Sequence, residues 1–171
     1  MVRELATAVV ALLAVTAVYK VCSLRRDSLP AQVALATVFG CLALGVFPFT
    51  QLFLATFEDP VFYGWGQVFA RSFVAAAACA AQVYLLLLAH VYTEVRGRVT
   101  RRVVGLVLTV GAIITLALLT PTPDFQTAAF DVWPEAATHV IFQVYLAAAL
   151  ADVAAAAGRW SRACDGVVRR D

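Results

Sequence analysis

The chain has 171 residues, of which 63% are hydrophobic and 14% charged, with a formal net charge of +2 and a mean hydropathy of +0.85. Soluble domains carry about 25% charged residues, so this composition belongs to the membrane class. The small charge, without basic runs interleaved with stacking aromatics, argues against nucleic acid as a partner. The four cysteines have no CxxC or Cys/His ligand spacing, which argues against a zinc site or a disulfide framework.

The head Met1-Val2-Arg3-Glu4 has no net positive charge and no small-x-small cleavage site follows the first apolar run. The run at 5–24 is therefore read as a retained span rather than a signal peptide. At about 20 residues it is long enough to cross a hydrocarbon core of roughly 30 Å as a helix. Lys20 lies near its end, and Arg25-Arg26-Asp27-Ser28 forms a polar turn before Pro30, which suits a first helical turn.

The second span is expected over 31–53, with Pro48 ending or kinking the regular helix near Leu44. Ala36, Gly40, Cys41 and Gly45 give it a small-residue surface for close helix approach. Aromatics from Phe47 to Phe69 then crowd around Glu58-Asp59-Pro60. They read first as an interfacial aromatic belt, and alternatively as an aromatic pocket with a carboxylic acid at its mouth.

The third span, 66–92, is the only one with a strong charge well inside it, Arg71. Gln67, Arg71, Ala75, Ala78 and Gln82 step by three or four and so share a face. Residues 93–102 are expected as an arginine-bearing loop, and 103–119 as the fourth span with Gly105, Thr109 and Ala112 as a second small face. In 120–135 the spacing of Phe125, Ala128, Ala129, Val132 and Trp133 predicts a short helix lying along the interface. The fifth span is expected over 136–157, where His139 and Gln143 share a face, and a short basic tail over 159–171.

The expected architecture is thus all-α: a polytopic membrane helix bundle of five transmembrane helices over 1–158. All but two of the 13 Lys and Arg flank the first turn, the third turn or the tail. The opposite connections carry Glu58, Asp59, Asp124, Asp131 and Glu135 without a basic residue. The positive-inside rule then puts the N-terminus out and the C-terminus in, as an odd number of spans requires.

Ionisable residues inside a membrane are costly and are functional candidates by default. The candidate polar ligand site is Arg71 with Glu58, Asp59, Gln67, Gln82 and Gln143, against the plainer reading that Arg71 snorkels outward. Asp152 lies too far from Arg71 in depth to pair with it. It is expected near Lys20 or the tail arginines. His90 and His139 fall at opposite ends of their spans, so no metal ligand pair is expected, and no cofactor. HExxH, GxSxG and phosphate-loop patterns are absent from the sequence, and no catalytic residue is assigned.

With the spans laid out, Tyr19-Lys20, Arg25-Arg26-Asp27, the span bearing Arg71, the arginines at 96–102 and Arg159-Trp160-Ser161-Arg162 resemble the N-terminal membrane region of a family of actinobacterial multi-span proteins described as transporters. That resemblance implies a multi-pass protein of a bacterial cytoplasmic membrane. The expected function is that of a non-catalytic transporter-like, sensory or scaffold component. It contacts the bilayer and associates with itself or with a partner membrane protein. The alternative is a small membrane enzyme acting on a lipid or isoprenoid, with Glu58 or Asp59 as acid and Arg71 holding an anionic group.

Overall fold

The structure, a computed structural model, describes residues 2–24, 30–50, 60–89, 92–120 and 133–168. These form five long helices: α1 (Val2–Leu24), α2 (Pro30–Val46), α3 (Pro60–Ala89), α4 (Tyr92–Leu118) and α5 (Trp133–Val168). All five are long and apolar enough to cross a membrane, with candidate spans at Glu4–Ser23, Pro30–Phe49, Trp65–Leu88, Val95–Leu118 and Trp133–Arg159.

Local sequence accounts for where α2 starts and stops. Pro30 opens it, where a missing N–H loses nothing. Pro48 prevents the helix from continuing, and Phe47–Phe49 tighten into a 3-10 turn. Thr50 closes that turn, its N–H donating to the Phe47 carbonyl at 3.0 Å and its hydroxyl donating to the same oxygen at 2.8 Å. The regular helix therefore runs to Val46, two residues past the expected Leu44.

The arginine-bearing stretch expected as a loop at 93–102 is helix instead, the first turns of α4. Likewise α5 runs on through most of the expected tail, to Val168. Hydropathy marks where a chain leaves the lipid, whereas a helix continues as long as its residues favour it. Arginine is a good helix former, and Gly97 alone does not stop the run. The expected interfacial helix at 123–133 falls almost wholly outside the described residues.

Helix α3 is the centre of the bundle, packing against α2, α4 and α5, whereas α1 packs on α2 and the 3-10 turn. Contacts fix the helix directions. Val68 of α3 packs with Ile113 and Ala117 of α4 and with Ile141 and Phe142 of α5, while further along α3 Gln82 reaches Asp152. So α3 and α5 run parallel, and α4 runs opposite to both. Helix α2 runs opposite to α3, since Gly45 lies against Ala70 and Val74 while Val33 and Ala34 share a groove with Val83 and Leu87.

The alanine run of α3 is the packing surface its composition implies. Ala75, Ala77, Cys79 and Ala80 are all buried, and they lie around more than one side of the helix, as a central position demands. The two small faces expected on α2 and α4 behave differently. A Cβ at Gly45 would meet Val74 Cγ2 at 3.0 Å and the Ala70 carbonyl oxygen at 3.3 Å, so α2 and α3 approach closely there. At Gly40 and Gly105 an added Cβ would meet nothing within 4 Å. The face of α4 that packs is instead the one carrying Ile113 and Ala117.

Hydroxyls on the helices satisfy themselves locally. Thr109 donates to the Gly105 carbonyl at 2.9 Å and Thr115 to that of Gly111 at 2.8 Å. Ser72, next to Arg71, donates to the Val68 carbonyl at 2.8 Å. Such back-bonding lets a hydroxyl sit in lipid without a ligand.

Candidate functional site: two polar layers across three helices

The polar groups of α3, α4 and α5 gather in two layers at opposite ends of the three-helix core. Near the arginine-rich end, Arg102 Nη1 of α4 donates to Asp152 Oδ2 of α5. Gln82 Nε2 of α3 donates to the same carboxylate oxygen at 3.1 Å and lies 3.4 Å from the Ala149 carbonyl oxygen. Gln82 is buried, while the Arg102 and Asp152 side chains keep 32% and 46% of their surface exposed. Measured along the helices from Trp65, Leu118 and Trp133, these three residues all lie about 24 to 29 Å down. They form one layer close to the boundary of a hydrocarbon core of roughly 30 Å.

This layer corrects one expectation. Asp152 pairs with Arg102, not with Lys20 or the tail arginines, because α4 is already helical at residue 102 and carries its guanidinium into the bundle. Arg102 was missed because hydropathy assigned it to a loop. One signal was available in the sequence: Arg102, Thr109, Ile113 and Ala117 recur at helical spacing, so the first of them belongs to the face of the others.

Just above, the Tyr145 hydroxyl of α5 is buried beside the Cys79 thiol of α3. Tyr145 and Asp152 share a face of α5, as their spacing of two turns requires, and that face is the one turned to α3.

The second layer lies at the other end. Arg71 of α3 has Glu135 of α5 as the carboxylate acting on it through space. Glu135 sits in the first turn of α5, next to the buried Thr138, whose hydroxyl donates to the Pro134 carbonyl at 2.9 Å. Glu135 is itself buried, with 4% exposure. Arg71 starts roughly 6 Å deeper than Glu135, a depth difference within the reach of an arginine stem. By hydropathy Glu135 belongs to the connection at 120–135, away from Arg71. Its position one residue after Pro134, at the negative-favouring start of a helix, was the available signal.

Of the other candidate residues, Gln67 is half-buried on α3 and shares that helix's inward arc with Arg71. Gln143 is exposed on α5 and so does not face the second layer, while His139, one turn before it, is half-buried. Glu58 and Asp59 lie outside the described residues. Among the described residues no three His, Cys, Asp or Glu side chains come together as a metal site.

Five long apolar helices, a core built on α3 and polar groups paired between helices define a multi-span helical integral membrane protein in contact with lipid. No family model matches the chain, and neither a curated protein nor a solved structure matches it. The actinobacterial resemblance accordingly rests on hydropathy and charge order alone.

Proposed function

We propose that the protein is a non-catalytic component of a bacterial cytoplasmic membrane, with its N-terminus outside and its C-terminus in the cytoplasm, acting as a scaffold for a partner membrane protein or a second copy. One observation carries this reading. At one end of the α3–α4–α5 core Arg102 is paired with Asp152 between helices, and at the other Glu135 of α5 acts through space on Arg71 of α3. Charges used in this way fix the relative register of the three helices.

Around that fixed core lie broad apolar faces. Helix α1 exposes Leu5, Leu12, Val15 and Val18, and α4 exposes Val107 and Leu108. Without a hydrophobic driving force in lipid, such faces associate through close packing. The lipid-directed enzyme needs Arg71 to hold an anionic group, and Glu135 already acts on that guanidinium. The transporter-like role fits the resemblance but draws no support from the paired charges.

The test is cysteine cross-linking in native membranes, with Leu12→Cys on α1 and Leu108→Cys on α4, each in a background with all four native cysteines, Cys22, Cys41, Cys79 and Cys164, changed to serine or alanine. A defined cross-linked product, either a homodimer or an adduct with one partner, is the expected result. Monomer alone at both positions overturns the scaffold reading.

A further inference from the structure

An apolar groove of about 550 Å³ lies between α2, α3 and α4. Its floor is one face of α3, where Ala76, Ala80, Val83 and Leu87 succeed one another at helical spacing, and its walls are Val33 of α2 and Val103 of α4. Along α3 the floor is about 16 Å long. That is half of a hydrocarbon core of roughly 30 Å.

The position matches as well as the length. Measured from Trp65, Ala76 lies about 16 Å down and Leu87 about 33 Å down. The groove therefore runs from the middle of the membrane to its boundary at the arginine-rich end, through one leaflet and no further. Both wall residues, Val33 and Val103, keep exposed surface, so the groove opens sideways into lipid.

Level with the boundary end of the groove, α4 carries a cation, Arg96. Arg96 lies one heptad before Val103 on α4, so the two differ by about 20° around the helix and share its groove side. Arg96 is about 10 Å closer to the helix start and is exposed. It stands about 33 Å from Leu118, level with Leu87. Arg98, also exposed, points about 140° away from Val103. Arg102 is engaged by Asp152.

The geometry points to a specific site for an anionic membrane phospholipid, with one acyl chain in the α2–α3–α4 groove and the headgroup phosphate on Arg96. An apolar slot one leaflet long takes a chain of that leaflet. A cation at the headgroup level selects negative over zwitterionic headgroups, an attraction that grows near the surface with each basic residue. The Arg102–Asp152 pair holds α4 in the rotation that keeps Val103 and Arg96 on the groove. The site depends on the protein lying in a bilayer and not on which side the N-terminus faces.

Native mass spectrometry of the full chain released from nanodiscs of equal phosphatidylglycerol and phosphatidylcholine tests this. One phosphatidylglycerol is expected to remain bound, about fivefold over phosphatidylcholine. Arg96→Gln is expected to abolish that preference while lipid is still retained, and Arg98→Gln to leave it intact. Val103→Trp, and independently Val33→Trp from the opposite wall, are expected to abolish retention of either lipid. Both positions are exposed, and each variant is first checked for native helicity and a single elution peak. Equal retention of the two lipids overturns the site, as does a preference that survives Arg96→Gln or falls equally with Arg98→Gln. Unchanged retention in both tryptophan variants overturns the groove as its location, and so does a Val103→Cys disulfide dimer that excludes lipid.

Discussion

Arg102 of α4 donates to the carboxylate of Asp152 of α5, 50 positions further along the chain, and Gln82 of α3 shares the same carboxylate oxygen. Three helices are thereby tied at one depth. In water such a half-exposed pair contributes little, but near the hydrocarbon boundary the alternative for each charge is a costlier environment.

Removing one member of this layer leaves the others short of a partner. Asp152→Ala is expected to destabilise the bundle by about 1 to 2 kcal/mol, and Gln82→Leu by less than about 1 kcal/mol. A double-mutant cycle with Arg102→Ala should show positive coupling between positions 102 and 152. Reversible unfolding in sodium dodecyl sulfate measures all three, and additive effects would contradict the pairing.

The other layer is more buried, so the asymmetry between breaking a pair and replacing it should be larger. Glu135→Leu alone is expected to cost about 1 to 3 kcal/mol, because it removes a carboxylate acting on the Arg71 charge, whereas Arg71→Leu with Glu135→Leu should recover most of that loss. The same unfolding measurement decides it: a double variant no more stable than Glu135→Leu alone would refute the interaction.

The two glycines of α2 make opposite forecasts. Gly45→Ala places a methyl at 3.0 Å from Val74 Cγ2 and 3.3 Å from a backbone oxygen. It is expected to cost about 1 kcal/mol or more through overpacking. Gly40→Ala meets nothing within 4 Å and should stabilise by up to about 1 kcal/mol through helix propensity. Thermal shift assays on the two variants should move in opposite directions.

Orientation follows from charge rather than packing. A C-terminal green fluorescent protein fusion is expected to fluoresce and an alkaline phosphatase fusion at the same site to be inactive, placing residue 171 in the cytoplasm. Charge-reversing Arg96, Arg98 and Arg101 to glutamate should weaken that bias. A phosphatase-active C-terminus would invert the topology while leaving the helix contacts as they are.

What the sequence determined by itself was the number and type of the long membrane-length elements. Runs of apolar residues near 20 long have only one backbone solution in lipid, since each N–H and C=O must be satisfied within the segment. Hence five helices were legible, as was the break at Pro48. The inward alanines of α3 and the self-satisfied hydroxyls of Thr109 and Thr115 were legible too, each following from its own few neighbours. The partners of the charges were not. Pairing Arg102 with Asp152 depends on how α4 and α5 are rotated and staggered, and hydropathy averages over a window and so carries no rotation. For the same reason Gly45 and Gly105 looked alike in sequence, and only the approach of α3 distinguished them. Glu135 is a further case, because a residue at a helix start faces water or core according to where the neighbouring helix stands. Composition and period decided the elements, and the tertiary arrangement decided which side chains meet.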